Sequence, residues 1–188
     1  WNFLGEIVPE QVGTGGGGET GSGAFASAQV ANASVSIQQA HDNLPSDSAG
    51  NGPGGMIIVD PSYDPSNETL PITFSSNVVL VGYGVLASHI NFSGNVSSPV
   101  FVLNYANNRH YHAVFSNLTI TGGSVGIDLQ TCNRFWAQNC RIKDQAISNV
   151  QFNGSTLWTQ WDRCHFRNAG GVGVDMSNAV SPNAPNAT

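Results

Sequence analysis

The feature that most narrows the possible folds is a short pattern that returns about every two dozen residues between Ser116 and Met176. Asn117-Leu118-Thr119-Ile120, Asn139-Cys140-Arg141-Ile142 and Arg163-Cys164-His165-Phe166 form one family of segments. Val125-Gly126-Ile127-Asp128-Leu129, Ser148-Asn149-Val150-Gln151-Phe152 and Val172-Gly173-Val174-Asp175-Met176 form another. A repeat of this length signals stacked units, and alternation of apolar with polar residues signals strands with one buried face. The pattern predicts a parallel β-helix, each turn lying about 4.8 Å over the last. Aligning the turns puts Leu118, Cys140 and Cys164 in one inward column, Ile120, Ile142 and Phe166 in the next, and Ile127, Val150 and Val174 on the opposite wall. Thr119, Arg141 and His165 then face outward on one side, and Asp128, Gln151 and Asp175 on the other. A one-residue slip would bury Arg141 and Asp128, so the register is well specified.

The 188 residues fit a single domain. Residues 1–23 read as an apolar arm and a Gly-rich linker, 24–180 as a capping helix plus coil, and 181–188 as a polar tail. The linker has no Gly-Lys-Ser/Thr, so a phosphate loop is not expected. Charged residues are only 10% of the chain, the formal charge is −6, and no Lys or Arg precedes Arg109. Binding to nucleic acid by phosphate neutralisation is therefore not expected. No apolar run is long enough for a membrane span. The chain begins at Trp1 without a charged and apolar leader, which suggests a processed or partial product.

Asn-x-Ser/Thr triplets occur at Asn32, Asn67, Asn91, Asn95, Asn117, Asn153 and Asn186. They are candidate glycosylation sites and favour an extracellular surface, although Asn and Ser also serve turns. The chain has three cysteines and no CxxC pair. Cys140 and Cys164, stacked on adjacent turns, fall within reach of a disulfide, and buried free thiols are an equal alternative. No cofactor is expected, and His110 with His112 lacks a third metal ligand.

Before the repeat, Ala33, Ile37, Ala40 and Leu44 recur at helical spacing, predicting a helix over 31–44 with Asn32 or Ser34 as N-cap and Pro45 as the stop. Such a helix would cover the first turn of the coil. Strands are predicted within 54–63, 70–74, 77–84, 89–92 and 100–103, for about four turns in all. Ser36-Ile37-Gln38-Gln39-Ala40, the Gly54-Gly55-Met56-Ile57-Ile58-Val59-Asp60-Pro61-Ser62-Tyr63 strand and Ser76-Asn77-Val78-Val79-Leu80-Val81-Gly82-Tyr83-Gly84 resemble the start of the pectate-lyase-like superfamily, which includes viral tailspikes. The resemblance covers residues 24–176, and the family's Asp-containing run ahead of the helix is missing. It implies an all-β, right-handed parallel β-helix with one N-terminal capping helix, and a trimer of the tailspike kind. It does not fix activity, because the superfamily includes lyases, hydrolases, epimerases and non-catalytic binders.

The outer faces supply the site candidates. Asp128 and Asp175 lie two turns apart, about 10 Å, near the upper limit for the two carboxyls of an inverting glycosidase. Local turn capping is their plainer use. Arg141, Lys143, Arg163, His165 and Arg167 cluster beside Asp144 and Asp162. The resemblance to polysaccharide lyases would give an Arg the uronate proton, but that family's acidic calcium column is not visible, and surface ion pairing is the plainer account. Trp136 and Trp158 recur 22 residues apart with Phe135 and Leu157 beside them, so the Trp column is expected outside, as a stacking platform for sugars or as a subunit contact. Tyr111 lies in a polar aromatic loop suited to ligand contact. Together these residues predict a protein of the extracellular or virion surface that attaches to a polysaccharide or cell-surface glycan. A polysaccharide-degrading hydrolase or lyase and a structural glycoprotein are the alternatives.

Overall fold

The computed structural model describes residues 28–45, 54–74, 77–104 and 112–179. The arm and linker, the 105–111 loop with Tyr111, and the tail with Asn186 lie outside the described residues. In chain order the strands are Ala28–Ala31 (β1), Gly55–Val59 (β2), Ile72–Phe74 (β3), Val78–Gly82 (β4), His89–Phe92 (β5), Phe101–Asn104 (β6), His112–Ser116 (β7), Thr119–Gly122 (β8), Val125–Gln138 (β9), Arg141–Lys143 (β10), Ser148–Asp162 (β11), His165–Arg167 (β12) and Val174–Asp175 (β13). They wind into a parallel coil of about five turns, one more than the strand count from sequence.

The coil has three walls. The first stacks β1, β2, β4, β7 and the second halves of β9 and β11; the second stacks β5, β8, β10 and β12. The third stacks β3, β6, the first halves of β9 and β11, and β13. The expected columns are present: Ile142 pairs with Ile120 and Phe166, and Val150 with Ile127 and Val174. Leu118, Ile120, Ile127, Cys140, Ile142 and Val150 are buried, and Val174, in the last described strand, is 41% exposed.

Aromatic rings join the walls through the interior. Phe74, Phe101, Phe115, Phe135, Trp161 and Phe166 follow one another with centroids 4.9 to 5.6 Å apart. Edge-on and tilted pairs of this kind add to the energy of burial.

The helix is shorter than its apolar spacing predicts. Helix α1 covers Ile37–Asp42, and Ala31 instead ends β1, which pairs with β2. Neither expected cap is used as one, because the Asn32 carboxamide oxygen accepts the Ser34 and Val35 N–H groups and turns the chain after β1. Ser36 caps the helix, its Oγ accepting from Gln39 N at 2.9 Å. The helix does cover the first turn: Ile37, Ala40 and Leu44 are buried. Gln38 finishes the open edge of β3, its Oε1 accepting from Thr73 N at 2.7 Å and its Nε2 donating to Thr73 O at 3.3 Å. The Glu68 carboxylate accepts from Ile37 N, Gln38 N and Tyr63 OH, tying α1 to the loop that follows β2.

The corner between the first and second walls is built the same way in three turns. Asn117, Asn139 and Arg163 occupy it with φ of 56°, 49° and 51°. Asn tolerates this left-handed region, and Asn139 Nδ2 donates to Asn117 Oδ1 at 2.8 Å, linking two turns.

Candidate functional site

The outer surface of the first wall bears a shallow groove of about 210 Å³, lined among others by His112, Val114, Arg134, Trp136, Trp158 and Gln160. Its position follows from alternation along β9 and β11. Phe135 and Ala137 point inward, which turns Arg134 and Trp136 outward. Both Trp residues are on the outside, as expected, but they do not share a column. Trp158 pairs with Arg134 and Trp136 with Gln160, while Phe135 lies opposite Thr159, not Leu157. The offset between the strands is 23 residues at Phe152–Leu129 and, after an irregularity, 24 at Ser155–Thr131, so Trp158 falls two residues short of the position opposite Trp136. The 22-residue spacing of the Trp pair is thus not the local repeat.

The result is a diagonal arrangement with mixed chemistry. Trp158 is 60% exposed, and the Arg134 guanidinium sits 5.5 Å from its ring centroid. Trp136 is half-buried, and its indole N–H is buried with no acceptor. Arg134 and Gln160 escaped the sequence reading, although outward alternation from Trp136 and a 24-residue offset from Trp158 would have found Arg134.

The carboxylates expected to act together are not available as a pair. Asp128 is 4% exposed, because Gln130 Nε2 and Asn153 Nδ2 donate to it at 2.9 and 2.8 Å and close over it. Asp175 does what a turn-capping Asp does, accepting from Ser177 N at 2.9 Å, which holds its carboxyl below the usual range. Gln151 stands between the two in the strand register.

On the second wall, Arg141 pairs with Thr119 and His165, and Lys143 with Thr121 and Arg167. Arg163 lies at the corner, its Nε donating to Asp162 at 3.2 Å, and Lys143 pairs with Asp144 at 3.0 Å. Thr119, expected outward, is buried under the 84–87 turn, where its hydroxyl donates to Val85 O at 2.6 Å. His89 reaches Thr121 Oγ1 at 2.7 Å, and burial followed by the Lys143 ammonium hold its imidazole below the usual range.

Cys132, Cys140 and Cys164 are all free thiols. Cys140 and Cys164 touch across adjacent turns, and the hydrogen bond from Cys140 brings the Cys164 thiol down to about 7. Burial pushes Cys132 up to about 12. Among the described residues no three His, Cys, Asp or Glu side chains are grouped to hold a metal, and no helix is long and apolar enough to cross a membrane.

The Asn-x-Ser/Thr triplets have a local use. Asn32, Asn91 and Asn95 accept the N–H of the residue two positions on, and Asp60, Asp64 and Asp175 do the same at Asp-x-Ser segments. Asn67 donates to Ala33 O, Asn153 donates to Asp128, and Asn117 belongs to the corner ladder. Compared with known proteins, the chain matches no family model, no curated protein and no solved structure.

Proposed function

We propose that this coil is an attachment protein that holds a polysaccharide or cell-surface glycan against its outer wall. One observation carries the reading: an exposed Trp158 next to a groove lined by Arg134, Trp136 and Gln160. Sugars offer C–H faces to an aromatic ring and hydroxyls to a polar rim, and this groove supplies both. The enclosure of Asp128 by two amides favours binding over hydrolysis, since a sugar has no approach to that carboxylate. An extracellular or virion-borne, trimeric setting of the tailspike kind belongs to the same reading. Tyr83 and Leu86, which are 66% and 85% exposed at one turn, suit a subunit contact there.

The test is a glycan panel read both for binding and for new reducing ends or unsaturated products, with sedimentation to count subunits. Trp158→Ala is expected to weaken binding about tenfold, the equivalent of one lost ring contact, while leaving the melting temperature unchanged. Release of products from any member of the panel would overturn attachment in favour of catalysis.

A further inference from the structure

The second wall carries a charge pattern that the groove does not use. Its outer columns read His89, Thr119, Arg141, His165 and Asn91, Thr121, Lys143, Arg167 from turn to turn. Thr119 and Thr121 are buried, so the open part of this wall is the two rungs of β10 and β12. There Arg141, Lys143, His165 and Arg167 form a two-by-two array, with rungs about 4.8 Å apart and columns about 6.6 Å apart by strand geometry. Lys143 pairs with Asp144, whose carboxylate also feels the Arg167 charge, although among the described residues no carboxylate lies within ion-pair distance of Arg141 or Arg167.

Like charges this close repel one another, and the Asp144 carboxylate beside Lys143 and Arg167 offsets that repulsion only in part. It is also where the chain concentrates its cations. Residues 1–108 hold eight Asp and Glu and no Lys or Arg, and residues 109–188 hold all six Lys and Arg with four Asp and Glu, a balance of −8 against +2. A planar guanidinium pairs with carboxylate or sulfate through two parallel hydrogen bonds, and two guanidiniums on successive rungs suit an acidic group on successive units of a chain. A nucleic acid is a poorer match, because its continuous phosphate charge meets a molecule of net charge −6.

We infer that the array formed by Arg141, Lys143, His165 and Arg167 is an anion-binding site, and that the glycan held by this protein is acidic, carrying carboxylate or sulfate. The inference rests on the attachment reading above. It is tested with the full chain on immobilised polygalacturonate, dextran sulfate, uncharged dextran and single-stranded DNA, using wild type, the double variant Arg141→Gln/Arg167→Gln, and Trp158→Ala. Both arginines lie on the outer surface, and equal melting temperatures confirm that the double variant is folded. The expected result is binding to one or both acidic polysaccharides, weakened about tenfold or more in the double variant and by a several-fold rise in salt. Binding to polygalacturonate alone identifies carboxylate, and to dextran sulfate alone, sulfate. Dextran bound as well as the acidic polymers, acidic polymers bound equally by the double variant, or DNA bound as tightly as either would overturn the acidic-glycan site. If only Trp158→Ala lowers binding, attachment stands and the array does not. If no polysaccharide binds, both fall.

Discussion

Single side chains set the local energetics of this coil, and Glu68 is the clearest case. Burial raises its carboxyl above the ordinary range, against the opposing pull of the Ile37, Tyr63 and Gln38 donors. A carboxyl with a folded pKa above its unfolded value favours the protonated fold. Its contribution is full below the unfolded pKa and is lost as pH rises through the raised value. The melting temperature is therefore expected to fall over that window, and Glu68→Gln should flatten the dependence. Glu68→Ala strips acceptors from α1 and Tyr63 and should cost about 2 kcal/mol in urea denaturation. The thiols separate just as clearly: iodoacetamide at about pH 8 should label Cys164 first, with Cys132 and Cys140 reacting only after unfolding, as read by mass spectrometry. Arg163 occupies a backbone region that the two preceding turns give to Asn. Arg163→Asn should add a rung to the ladder and stabilise the fold by about 1 kcal/mol in urea denaturation.

At the scale of strands and corners, alternation and turn-to-turn alignment were readable because each inward column is apolar in every turn. Ile120, Ile142 and Phe166 could be placed from the residues alone, and so could Ile127, Val150 and Val174. Three things were hidden for physical reasons. Ala28–Ala31 is only four residues long, too short to show a period, and its neighbours Ala33, Ile37 and Ala40 mimic a longer helix. β9 and β11 run unbroken past a corner where polar residues suggest a loop. The fate of Asp128 depends on outward amides, Gln130 and Asn153, that no periodicity marks. The Trp positions were misaligned by two residues, 22 against a local offset of 24, and the extra residue beyond Phe152 accounts for one of them. Gly154 belongs to that irregular stretch, and a Cβ there would lie 1.5 Å from Gln130 O. Gly154→Ala must therefore shift backbone, and a loss of about 2 kcal/mol or more is expected, with the Trp158–Arg134 stacking disturbed in near-ultraviolet circular dichroism.

Across the whole molecule, stability should be graded along the axis. The middle turns are buried on both sides, whereas the last one ends in a two-residue strand, with Val172, Val174 and Met176 more than 40% exposed. Stacked units of this kind open from their ends. Hydrogen exchange should be slowest in β7, β8 and the first half of β9, and fastest in β12 and β13. Trp158, His165 and Arg167 all belong to that final rung. On the attachment proposed above, a partner gripping those side chains would work as a clip on the loosest part of the spiral, slowing its opening in proportion to how much of it is occupied.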